Sequence, residues 1–87
     1  VINKIIYEGK ERVMDTHDIA LGFGSFIRDG RLRKGLLQKE VAAKLNISQV
    51  YYCHIEIGKR NIDLALALEI CKVLELDLND FTQKVLK

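Results

Sequence analysis

The chain has 87 residues, which is room for one small domain built on a single modest core. Fourteen basic and twelve acidic side chains leave a formal charge of +2, and 48% of the residues are apolar, an ordinary globular balance that argues against a disordered polyelectrolyte. No apolar run approaches the roughly 20 residues of a membrane span, and the basic, apolar, small-residue order of a secretory signal is missing at the N-terminus, so a cytoplasmic location is expected.

Residues 1–17 open with VINKIIY, which is β-branched but alternates poorly, and EGKERVMD then interrupts it with charge. This reads as an N-terminal arm, extended or partly ordered, able to pair with the same segment of a second subunit. Helical spacing begins afterwards. Ile19, Phe23, Phe26 and Ile27 recur at intervals of three and four and continue to Leu32, predicting a first helix from near Asp18 to near Lys34, with Gly35 ending it. Gly24 and Gly30 each weaken such a helix by about 1 kcal/mol relative to Ala, so tertiary packing must hold it.

A short second helix follows at about 38–45, with Val41, Ala42 and Leu45 on one face. Asn46 tolerates the left-handed backbone that stops a helix. Ser48 is then a good N-cap for a third helix over about 48–57, which Gly58 terminates. Tyr52 and Ile55 face inward, leaving Gln49, Val50, Tyr51, Cys53 and His54 on or near the other side. Ile62 through Leu74 predicts a fourth helix that buries Leu64, Leu68, Leu74 and either Ile70 or Cys71. A fifth carries Leu78, Phe81, Val85 and Leu86, with Asp77 as its cap.

Charge is unevenly placed. Residues 25–61 hold eight basic side chains against three acidic, net +5, while both flanking segments are slightly acidic. That asymmetry suits a polyanionic partner for the central segment, although charges on helix surfaces also serve simply to solvate a fold. Cys53 and Cys71 stand 18 positions apart, and together with His17 and His54 they form no metal-ligand pattern, so two free thiols in a reducing compartment are expected. Catalytic signatures are lacking as well: there is no Ser/His/Asp set and no glycine-rich phosphate loop followed by Lys. Asp15, His17 and Asp18 cluster, but at a helix start such residues cap and complement the dipole. Neither an enzyme, a cofactor, a metal nor a small-molecule substrate is expected.

Taken in order, Phe23-Gly24, Ile27-Arg28, Arg31, Gly35, Gln38 with Val41-Ala42, Asn46-Ile47-Ser48, and Tyr52 with Ile55-Glu56 and Gly58 form a constellation that resembles the phage repressor/Cro-like (Xre-type) helix-turn-helix family. Each piece is weak alone; their order and spacing make the likeness specific. The resemblance implies an all-α fold, a five-helix lambda-repressor-like DNA-binding domain over 18–87 behind the N-terminal extension. It implies that Arg31 and Glu56 form a largely buried structural ion pair. It implies that Gln38, Lys39, Ser48, Lys59 and Arg60 hold DNA phosphates, Gln38 with help from the positive end of its helix dipole. Bases would be read by Gln49, Val50, Tyr51 and His54, Gln49 being able to bond adenine bidentately. Three departures stand out: Asn46 replaces the usual turn glycine, Ile57 occupies a position where a polar residue often approaches phosphate, and no proline follows Arg60.

The function implied is that of a sequence-specific, double-stranded DNA-binding transcriptional regulator, a repressor. It would act as a homodimer on a pseudo-palindromic operator with half-sites about 34 Å apart. The fifth helix, through Phe81 and Val85, or the 1–17 arm would supply the dimer contact. A different use of the same fold, as an antitoxin-type protein-interaction module, is the alternative.

Overall fold

A computed structural model describes residues 4–7, 10–13 and 16–85, with side-chain environments for 16–84. Two strands, β1 (Lys4–Tyr7) and β2 (Lys10–Val13), pair antiparallel with Lys4 opposite Val13 and Tyr7 opposite Lys10. Five helices follow: α1 (Thr16–Arg33), α2 (Gln38–Leu45), α3 (Gln49–Glu56), α4 (Leu64–Leu74) and α5 (Leu78–Val85). The first helix thus starts two residues before Asp18 and stops one short of Lys34.

Helices α1 to α4 share one core. Phe23, Phe26 and Ile27 meet Val41, Ala42 and Leu45, then Tyr52 and Ile55, and finally Ala67, Ile70, Cys71 and Leu74. Helix α5 closes this core with Phe81, whose ring lies edge-on to Phe23 at 5.5 Å and tilted against Phe26 at 5.6 Å. Burial also pushes the Cys71 thiol up, so it sits in the core as a neutral, apolar group.

Two expectations about buried faces are corrected. Leu32 does not continue the inner stripe of α1: it is 56% exposed, and Gly30 and Arg31 are the buried residues at that end. On α4 the expected inner pair Leu64 and Leu68 is 67% and 50% exposed, while Ala67, Ile70, Cys71 and Leu74 face inward. The reason is that LALALEICKVL is apolar nearly all round, so a helical period fits more than one phase. Ile62 lies outside the helix because Asp63 caps it, its Oδ1 accepting the Leu66 N–H at 2.8 Å. On α5, the Val85 side chain and Leu86 lie outside the described residues.

Gly24 sets the spacing of α1 and α3. A Cβ built there would stand 2.3 Å from the Glu56 carbonyl oxygen and 2.6 Å from that of Ile55, so only a residue without one lets the backbones come this close. At the far end of α1, Lys34 pairs with Glu75, the left-handed residue that closes α4.

Candidate nucleic-acid interface

Helices α2 and α3 are joined by a turn that local chemistry holds. Asn46 is left-handed at φ 59°, and the Ile47 N–H returns to the Ala42 carbonyl at 3.1 Å. Ser48 then caps α3, its Oγ accepting the Tyr51 N–H at 3.0 Å. Ser48 and Ile57 are therefore the caps of the third helix rather than part of it.

The outer side of α3 is open. Gln49 is exposed, and Val50 is 65% exposed. Tyr51, Cys53 and His54 are half-buried, while Tyr52, Ile55 and Glu56 turn into the core. Arg60 reaches back from beyond the helix, its guanidinium 5.3 Å from the centre of the Tyr51 ring. That contact holds Tyr51 and Arg60 together beside the exposed start of α3. Lys59 and Arg60 are both exposed.

The start of α2 is a second open helix end. Leu37 occupies the N-cap position and has no acceptor to offer, but the Glu40 carboxylate takes the Leu37 N–H at 2.8 Å. Among the described residues, the backbone N–H groups of Gln38 and Lys39 have no acceptor, as is also true of Gln49 and Val50 in α3. Lys39 is exposed; Gln38 is half-buried, with its side chain committed elsewhere.

That commitment is the network around Glu56. Arg31 Nε donates to Glu56 Oε2 at 2.6 Å, and another guanidinium nitrogen donates to Oε1 at 3.0 Å. A third donates to the Leu36 carbonyl at 2.9 Å, so one arginine fastens α1, the loop before α2 and the end of α3. Gln38 Nε2 gives Glu56 Oε1 a further hydrogen bond at 2.9 Å. The side-chain amide nitrogen assigned to phosphate by resemblance is therefore turned inward, and what Gln38 presents outward is its backbone N–H. Burial on its own would raise the Glu56 carboxyl; the hydrogen bonds from Arg31 and Gln38 outweigh it and hold the group below its ordinary range. Burial, and then the Glu56 charge, push the Tyr52 phenol far above its usual value, so it stays neutral beside the pair.

Several contributors were not singled out in the sequence. The roles of the Leu36 carbonyl and the Lys34–Glu75 pair depend on contacts that no local pattern encodes. Gly24 stands in the sequence as a weak point of the first helix and as part of the family constellation; its close approach to the α3 backbone is visible only in the structure. Among the described residues no group of His, Cys, Asp and Glu could hold a metal ion, and no helix is long and apolar enough to cross a membrane.

Two short helices at a tight turn, the second with a buried inner side and an open outer one, define a helix-turn-helix DNA-binding regulator. The chain belongs to the helix-turn-helix family, whose model matches residues 27–81. It is 32% identical over 72 residues to the control protein C.MunI of a Mycoplasma species, covering 82% of this chain and 97% of that one. The restriction-modification controller protein C.AhdI from Aeromonas hydrophila is similar in structure, with a TM-score of 0.66 at 27% identity over 71% of this chain and 94% of that one. So is the controller protein C.Esp1396I, solved as a tetramer on its natural 35-base-pair operator, with a TM-score of 0.67 at 28% identity over 78% of this chain and 90% of that one.

Proposed function

We propose that this protein is a sequence-specific regulator of transcription, a repressor, that acts as a homodimer on a pseudo-palindromic operator in the cytoplasm and catalyses no reaction. One observation carries the reading: α2 and α3 both begin with backbone N–H groups that have no acceptor among the described residues, and Gln49, Val50, Lys39, Lys59 and Arg60 are exposed on or just beyond these two helices. Unbonded N–H groups at a helix start attract phosphate. The open end of α2 can take a phosphate while the outer face of α3 enters the major groove. Lys39, Ser48, Lys59, Arg60 and the Gln38 N–H then position the protein without reading sequence. Gln49, Val50, Tyr51 and His54 line the reading face, with Gln49 suited to adenine and Val50 to a thymine methyl group. The likeness to C.Esp1396I, a controller bound as a tetramer to its operator, supports both the duplex and the oligomer.

Gel-shift titration of genomic fragments tests the reading. One or a few fragments are expected to bind roughly 1,000-fold or more tightly than bulk duplex. Lys39→Ala should weaken all fragments alike and reduce the slope of log affinity against log salt by about one. Equal affinity for every fragment at moderate salt would contradict it.

A further inference from the structure

We propose that β1 pairs edge to edge with β1 of a second copy of this chain, joining the two N-terminal hairpins into one antiparallel sheet. The inference rests on the homodimer reading and gives the arm a place in it.

The hairpin is two strands of 4 residues each, and among the described residues its extensive contacts run from strand to strand rather than to any helix. A lone two-stranded hairpin is marginal in water; a third strand or a covering helix is what makes such a unit stable. Among the described residues each strand has the other as its one neighbour, so each keeps an edge of backbone N–H and C=O groups that faces no strand of its own chain. Such an edge is a template for another strand.

The occupant follows from what each edge would bring together. A twofold axis sets a strand antiparallel to its own copy, and opposite residues must share a face of the sheet. The register is therefore centred on a residue that stands opposite itself. Along β1, KIIY, centring on Ile6 sets Ile6 opposite Ile6 and Ile5 opposite Tyr7 on both sides. Aromatic and β-branched residues are favoured partners in such cross-strand positions. Centring on Ile5 instead sets Lys4 opposite Ile6, a poorer match. Along β2, KERV, centring on Glu11 sets Glu11 opposite Glu11 and Lys10 opposite Arg12, while centring on Arg12 sets Arg12 opposite Arg12. Like charges directly opposite are destabilising, and charge is how natural sheets keep an edge from pairing. So β2 is the guarded edge and β1 the open one. Pairing through β1 leaves only the two β2 edges outermost, and the sheet stops growing there.

Cysteine cross-linking of the full chain under mild oxidation tests the pairing. Residues directly opposite in an antiparallel pair have Cα atoms about 4.5–5.5 Å apart, within reach of a disulfide. Ile6→Cys should run on a non-reducing gel mainly at twice the chain mass of 10.0 kDa and return to single mass on reduction. Arg12→Cys, and wild type with its own Cys53 and Cys71, should give roughly a tenth as much linked material or less, since no disulfide geometry joins those positions. A mixture of Ile5→Cys and Tyr7→Cys should link across the two variants, which fixes the register and replaces Ile6→Cys should that change disrupt the strand. Sedimentation equilibrium of wild type separates this inference from the reading beneath it. A dimeric wild type in which Ile6→Cys and the mixture link no more than Arg12→Cys overturns the β1 pairing and leaves the homodimer standing. Linkage of Ile6→Cys to a different polypeptide in a lysate of the native host overturns the second copy as occupant. A wild type that stays monomeric at every concentration overturns both.

Discussion

Gly24→Ala is expected to lower the melting temperature by roughly 10 °C or more, an unusually large effect for one methyl group. The added Cβ would meet the carbonyl oxygens of Glu56 and Ile55 at 2.3 and 2.6 Å. Those atoms are backbone, so no rotamer change relieves the clash; α1 and α3 must move apart. Overpacking of this kind typically costs about 1–3 kcal/mol and occasionally more. Alanine returns something under about 1 kcal/mol by favouring the helix, which reduces the loss without reversing it. In a domain of this size a net 2 kcal/mol corresponds to roughly 8–16 °C. Gly22→Ala is the internal control: its Cβ would stand 3.4 Å from the Phe81 ring, an ordinary contact, so it should be neutral or mildly stabilising. Thermal unfolding of the two variants decides the matter, and a Gly24→Ala protein that melts with wild type would show that the helices are not held at this distance. DNA affinity should fall with Gly24→Ala as well, because the same contact fixes how α3 is presented.

Glu56→Ala should destabilise the fold by about 3–5 kcal/mol, because it strands the Arg31 guanidinium in the interior with its main acceptor gone. Arg31 is 9% exposed and Glu56 4%, so water cannot readily replace the missing partner. Gln38 also loses its acceptor, which frees the start of α2. Replacing both charges, as Arg31→Met/Glu56→Leu, should cost less than Glu56→Ala alone, since a buried pair repays little beyond its own desolvation. The pair also makes stability depend on acid in a definite direction. In the folded state the Glu56 carboxyl lies below its ordinary value of 4.5. Its contribution is therefore complete above that ordinary value and is lost as pH falls through the lower, folded-state value. Urea unfolding across this acid range should show wild type losing more stability than Arg31→Met/Glu56→Leu. Parallel losses in the two proteins would mean that other carboxylates dominate.

The helix-turn-helix core was readable because its signals are local. Ser48 as a cap, Asn46 as a left-handed stop, and Gly35 and Gly58 at positive φ each act within a few residues of where they stand, and the structure uses all four. Helical phase and the resemblance both turn Tyr52 inward over Tyr51, and Tyr52 is fully buried. Phase failed on α4 for a physical reason: when nearly every residue is apolar, periodicity does not say which leucines turn inward. Asp63 and the neighbouring helices decide that. The arm before α1 offered little alternation, so its pairing as a short hairpin was not legible beyond a strand-forming tendency. The inward turn of the Gln38 amide was hidden too, because it depends on a carboxylate 18 residues away.

Selection of bound duplexes from a random library, run in parallel with wild type and Gln49→Ala, tests the central claim most directly. Wild type should enrich an inverted repeat whose half-sites lie about one helical turn, or a multiple of it, apart. Gln49→Ala should recover the same repeat with discrimination lost at one position in each half-site, a change of about 1–3 kcal/mol. Enrichment of no motif by wild type, or of identical motifs by both proteins, would contradict the assignment of the α3 outer face as the surface that reads DNA.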